Sequence, residues 1–62
     1  MHVDLNGQAH EIPDGACLPS VVTDARGIAV AVNGAVVCRG DWPSTMLREH
    51  DRIEVITAHQ GG

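Results

Sequence analysis

Two asparagine-glycine pairs set between short alternating stretches, one apolar stripe at helical spacing, and a final alternating segment together predict an α+β domain of two layers. The expected architecture is a mixed five-stranded sheet with one main helix packed on one face. At the amino end Val3 and Leu5 alternate with His2, Asp4 and Asn6. Asn6-Gly7 is a pair that tight hairpins favour, because both central residues need positive φ. A return strand over residues 9–12 follows, and Pro13-Asp14-Gly15 signals a turn. Leu18, Val21, Val22 and Ala25 then fall at i, i+3, i+4 and i+7, the spacing of one helix face. Pro19 fits the first turn of that helix, where its missing N–H has no intrahelical partner, and Gly27 suits the left-handed residue that ends it.

The clearest element is the second hairpin. Ile28, Val30 and Val32 alternate with small Ala29 and Ala31, Asn33-Gly34 marks the turn, and the return strand runs over residues 35–38. Gly40, Asp41 and Pro43 break the pattern, so residues 41–47 read as a loop with a short helical turn. A last strand over residues 52–58 carries Ile53 and Val55 on one face and Glu54 on the other. His59, Gln60, Gly61 and Gly62 have no periodicity and read as a flexible projecting tail. The expected division is a domain over residues 1–58 and a tail over 59–62. For so small a chain the order strand, strand, helix, strand, strand, strand favours a β-grasp arrangement, although periodicity does not fix which strands pair.

Sixty-two residues bury only about 60% of the unfolded surface, so stability is modest and an internal active site has little room. Phe and Tyr are absent, which leaves Val, Ile, Leu, Ala, Met and the single Trp42 to form the core. A formal charge of -4, with four Arg and no Lys, disfavours nucleic acid and suits a basic protein partner. No cationic start precedes an apolar run long enough for a signal peptide or a membrane span, so a cytoplasmic protein is expected. Cys17 and Cys38 have no CxxC spacing and read as small core residues with free thiols.

Val30-Ala31-Val32-Asn33-Gly34, Arg39, Trp42, Leu47, Asp51-Arg52-Ile53-Glu54-Val55 and the ending Thr57-Ala58-His59-Gln60-Gly61-Gly62 resemble the ThiS family, the sulfur carriers of thiamine biosynthesis. The match covers essentially the whole chain, more loosely in its amino half, and the length suits ThiS better than the longer molybdopterin synthase small subunit, MoaD. Cys38 stands where the family often has Pro, Cys17 where it has a helix-starting Ser or Thr, and His50 where a Gly commonly precedes the Asp. If His50 takes the left-handed conformation of that turn, it carries a cost of roughly 1 kcal/mol that Gly would avoid.

The resemblance implies a ubiquitin-like β-grasp and a chain that is a substrate of enzymes and not itself an enzyme. It implies that a ThiF-like adenylating enzyme uses ATP and Mg²⁺ to activate the carboxylate of Gly62, that sulfur replaces the adenylate, and that a ThiG-like thiazole synthase receives the resulting thiocarboxylate. No cofactor or metal is bound by the chain itself on this reading, and the free protein is a monomer. An α-carboxylate resists nucleophilic attack until it is activated, its pKa being about 3.5. Gly61 and Gly62, lacking Cβ atoms, thread a narrow channel and leave the carbonyl open. Extended, the four residues from His59 reach roughly 13 Å, enough for Gly61, Gln60 and His59 to thread into a partner, although a solvated tail accounts equally for the polarity of His59 and Gln60.

Blander readings stand beside these. The four His residues lack ligand spacing and read as surface or turn residues. Asp24, Glu49 and Asp51 read as solvated or capping groups, and Trp42 as a cap over the core edge. The same activated tail would also serve a carrier for molybdenum-cofactor or cysteine synthesis, or a ubiquitin-like modifier of other proteins.

Overall fold

Both asparagine-glycine pairs close hairpins, in a computed structural model that describes residues 1–23 and 27–57. Asn6 and Gly7 have φ of 51° and 85°, and Asn33 and Gly34 have 52° and 87°. Positive φ at both central residues matches the twist of the flanking strands, which is why this turn keeps a hairpin closed. The first turn joins β1 (His2–Leu5) to β2 (Gln8–Glu11), and the second joins β3 (Ile28–Val32) to β4 (Ala35–Val37).

The last strand, β5 (Arg52–Thr57), enters between the two hairpins and makes one sheet of them, in the order β2-β1-β5-β3-β4. It lies parallel to β1, with Asp4 opposite Arg52 and Leu5 opposite Ile53. On its other side it lies antiparallel to β3, from Val32 opposite Ile53 to Ile28 opposite Thr57. The asparagines that shape the turns also hold β5. Asn33 Nδ2 donates to Asp51 Oδ1 at 2.9 Å, the Arg52 N–H donates to Asn33 Oδ1 at 2.9 Å, and the Val55 N–H donates to Asn6 Oδ1 at 2.9 Å.

Alternation along the strands gives the sheet one covered face. Val3, Val30 and Ile53 point into it, with Ile28, Val32, Val37 and Val55 packed around them. Two crossing segments cover this face and supply Leu18, Val22, Trp42 and Leu47 to the same core. The segments are tied to each other: Cys17 bridges Met46, the Leu18 N–H donates to the Thr45 carbonyl, and the Leu47 N–H donates to the Ala16 carbonyl. Trp42, on the 3₁₀ helix Arg39–Ser44, is 5% exposed, and its Nε1 donates to the Val37 carbonyl at 3.0 Å. It is a core residue, and its one polar atom is satisfied at the edge of the core as a buried indole requires.

The expected helix is shorter in the described residues. Leu18–Ser20 forms a single 3₁₀ turn, and the Val21 and Val22 N–H groups both donate to the Leu18 carbonyl at 3.0 Å. The cause is local: Cys17 offers no side-chain cap, and the β-branched run Val21-Val22-Thr23 disfavours helix continuation, while Pro19 sits in the first turn, where its missing N–H costs no intrahelical bond. The apolar stripe still marks the correct face, since Leu18 and Val22 are buried. Residues 24–26, including Ala25 of the stripe, lie outside the described residues, while Gly27 has the expected positive φ of 70°.

Cys38 also departs from expectation. It is exposed, whereas Cys17 is half-buried, and both thiols are free. β4 is paired only as far as Val37, and Cys38 lies past it in extended conformation, with φ -65° and ψ 144°. The sulfur therefore has no covered face to enter.

Candidate functional site

The residues singled out by sequence, His59, Gln60, Gly61 and Gly62, lie outside the described residues, as does Ala58. The described part of the candidate site is the strand that leads to them. β5 is the central strand and ends at Thr57, so the segment of interest follows directly on the best-anchored element of the sheet. Ile53 within it is 1% exposed.

The face of the sheet turned away from the core has two characters. Around the end of β5 it is apolar. Ile56 lies opposite Ala29, and Ala31 lies opposite Val36, so two small residues of β3 separate two larger ones. Val36 is 73% exposed and Ile56 57%. Toward the start of β5 the same face carries Asp4, Arg52 and Glu54. These three, with Asn6, Gly7 and Ile53, line an open cleft of about 500 Å³. Exposed apolar side chains of this kind, rimmed by charge, fit contact with another protein. The sequence carries the signal for this patch, since Val36 and Ile56 occupy outward positions in strands whose inward positions are already apolar.

The other polar residues mostly shape turns. Glu49 Oε2 accepts the His2 N–H at 3.0 Å and stands 3.7 Å from His2 Nδ1 and 3.9 Å from His50 Nδ1. Asp51 accepts the Arg48 N–H through Oδ2 at 2.8 Å and Asn33 Nδ2 through Oδ1. These contacts fit the capping reading of Glu49 and Asp51; Asp24 lies outside the described residues. Among the described residues no polar or charged residue is buried, and no group of three His, Cys, Asp or Glu side chains could hold a metal ion. Nor is any described helix long and apolar enough to cross a membrane.

A mixed five-stranded sheet built from two hairpins, with the last strand inserted at its centre and short helical segments over one face, defines a β-grasp protein. Within that class the assignment is specific: residues 3–62 match the ThiS family model, and the chain belongs to the ThiS family, the sulfur carriers of thiamine biosynthesis. The fold agrees with the crystal structure of the thiamine biosynthesis protein ThiS from Geobacter metallireducens, with a TM-score of 0.84 over all of both chains at 22% identity. The chain is also 35% identical over 66 residues to a thiazole synthase of Magnetococcus marinus. That similarity takes in the whole of this chain and 20% of the synthase, so the chain spans about a fifth of that relative's length.

Proposed function

We propose that the carboxylate of Gly62 is the group on which this carrier works. A ThiF-like adenylating enzyme, with ATP and Mg²⁺, converts it to an acyl-adenylate. A sulfur nucleophile then displaces AMP, leaving a thiocarboxylate at the chain end. A ThiG-like thiazole synthase takes that sulfur for the thiazole ring. Activation is needed because the carboxylate is anionic and unreactive at neutral pH, its pKa being about 3.5. Glycine suits the last two positions because a side chain would crowd both the channel and the attacked carbonyl.

The observation that carries this reading is the extent of the family match, which runs from residue 3 through Gly62 and so takes in the Gly-Gly end as well as the domain. The likeness to part of a thiazole synthase supports that enzyme class as the sulfur acceptor. In this account the domain is the handle by which both enzymes grip the chain. The apolar patch of Ile56, Val36 and Ala29 supplies contact area beside the end of β5, and the formal charge of -4 favours partners with basic rims.

Reconstituted thiazole formation tests the reading. With the adenylating enzyme, Mg²⁺-ATP, a sulfur donor and the thiazole synthase with its co-substrates, the full chain supports product formation and a chain lacking Gly62 does not. Equal yields from the two chains would refute the assignment.

A further inference from the structure

The two sides of β5 are unequally occupied. On one side β3 accompanies it from Ile53 to its end at Thr57. On the other β1 pairs with it only at Arg52 and Ile53, then turns away at Asn6-Gly7 into β2. Backbone groups of successive strand residues point to alternate sides, and the hydrogen bonds fix which residues point where. The Arg52 carbonyl accepts the Asn33 N–H at 2.7 Å, so Arg52, Glu54 and Ile56 face β3. The Ile53 carbonyl accepts the Asn6 N–H at 2.9 Å, and the Val55 N–H donates to Asn6 Oδ1, so Ile53, Val55 and Thr57 face the β1 side. The Asn6 side chain thus stands in for the next acceptor that a longer β1 would have offered. Beyond it, the Val55 carbonyl and the Thr57 N–H have no partner among the described residues.

We propose that this short open edge, Val55 to Thr57, is a strand-addition site: the adenylating enzyme that takes the chain end lays an extended segment of its own backbone along it. The inference rests on the proposed role of Gly62 and says how the domain is gripped while Gly62 is in use. Three observations choose this occupant. The edge runs straight into the residues that the enzyme must hold, so a segment bound there continues along the route to Gly62. It opens at the Asn6-Gly7 turn beside the cleft lined by Asp4, Asn6, Gly7, Arg52, Ile53 and Glu54, which leaves room for a strand's side chains. The two carboxylates of that cleft, Asp4 and Glu54, outnumber Arg52, so the added segment is expected to carry a Lys or Arg there. Main-chain pairing of this kind supplies affinity and the flanking pockets supply specificity.

Amide hydrogen exchange on the free chain and on its complex with the ThiF-like enzyme and Mg²⁺-ATP tests the proposal. In the free chain the Thr57 amide exchanges fast while the Ile56 amide, facing β3, is protected; in the complex Thr57 slows about tenfold or more. A Thr57→Pro variant removes that donor and spares the β3 ladder, because Thr57 faces away from it. It is expected to raise the KM of adenylation for the carrier about fivefold, with the Ile56 amide still protected. A Thr57 amide protected already in the free chain, or one that exchanges as fast in the complex while Gly62 is adenylated, overturns the strand-addition site and leaves the role of Gly62 standing. Failure of the wild-type chain to be adenylated overturns both.

Discussion

His50 sits in a backbone conformation that its side chain opposes. Its φ is 69°, in the third position of a turn over residues 48–51 that the Asp51 N–H closes on the Arg48 carbonyl at 3.1 Å. The left-handed region costs an L-residue about 1–2 kcal/mol, while glycine enters it freely and loses about 0.5–1 kcal/mol through the greater freedom of its unfolded chain. The imidazole itself holds little in place. It is 85% exposed and stands 3.9 Å from Glu49 Oε2, and the His50 N–H, which donates to the His2 carbonyl at 2.7 Å, is kept by glycine. His50→Gly is therefore expected to stabilise the domain by about 0.5–1 kcal/mol. For a domain of this size that raises Tm by roughly 2–8 °C. Thermal unfolding followed by far-ultraviolet circular dichroism reads the difference. His50→Ala serves as the control, since alanine keeps the strain. An unchanged or lower Tm for His50→Gly, or the same rise in His50→Ala, would refute the reasoning.

Other substitutions probe separate links of the fold. Asn33→Ala removes both side-chain hydrogen bonds to the start of β5 and the tolerance for a φ of 52°, and should cost about 1.5–3 kcal/mol, read as a lower urea midpoint. Trp42→Phe keeps most of the buried ring but removes the indole hydrogen bond to the Val37 carbonyl, and a loss of about 1 kcal/mol in the same titration is expected. Cys38→Pro should stabilise by about 0.4–1 kcal/mol, because φ is already -65° and the residue lies past the last paired position of β4. A fall in Tm for that variant would show that the Cys38 N–H holds something in place.

What can be read from the sequence follows the range of the forces involved. The two hairpins are legible because asparagine-glycine encodes its own geometry within four residues, and all four turn residues have the expected positive φ. The helix is legible as a face and not as a length: spacing places Leu18 and Val22 in the core, but periodicity does not register that an uncapped start at Cys17 and a β-branched run after Ser20 disfavour further turns. The position of β5 is not legible from periodicity. Its pairing with β1 joins residues nearly fifty positions apart and leaves no local mark, although Asn6 and Asn33, whose side chains secure it, stand in turns that are plain from sequence. Cys38 is misplaced by sequence for the same reason, since the point at which β4 stops pairing is a tertiary fact. At the candidate site, Gly61 and Gly62 stand out through what they lack. The outward patch of Val36 and Ile56 is implicit in the strand parity.

The account depends most on chemistry at the last residue, and intact-protein mass spectrometry reads that chemistry directly. The chain is incubated with the ThiF-like adenylating enzyme, Mg²⁺-ATP and a sulfur donor, then fragmented to place any change. We expect a mass gain equal to the exchange of one oxygen for sulfur, confined to Gly62 and absent when residues are appended after it. A chain that keeps its original mass while the enzyme adenylates a known ThiS carrier, or that acquires sulfur at Cys17 or Cys38 instead, would contradict the account.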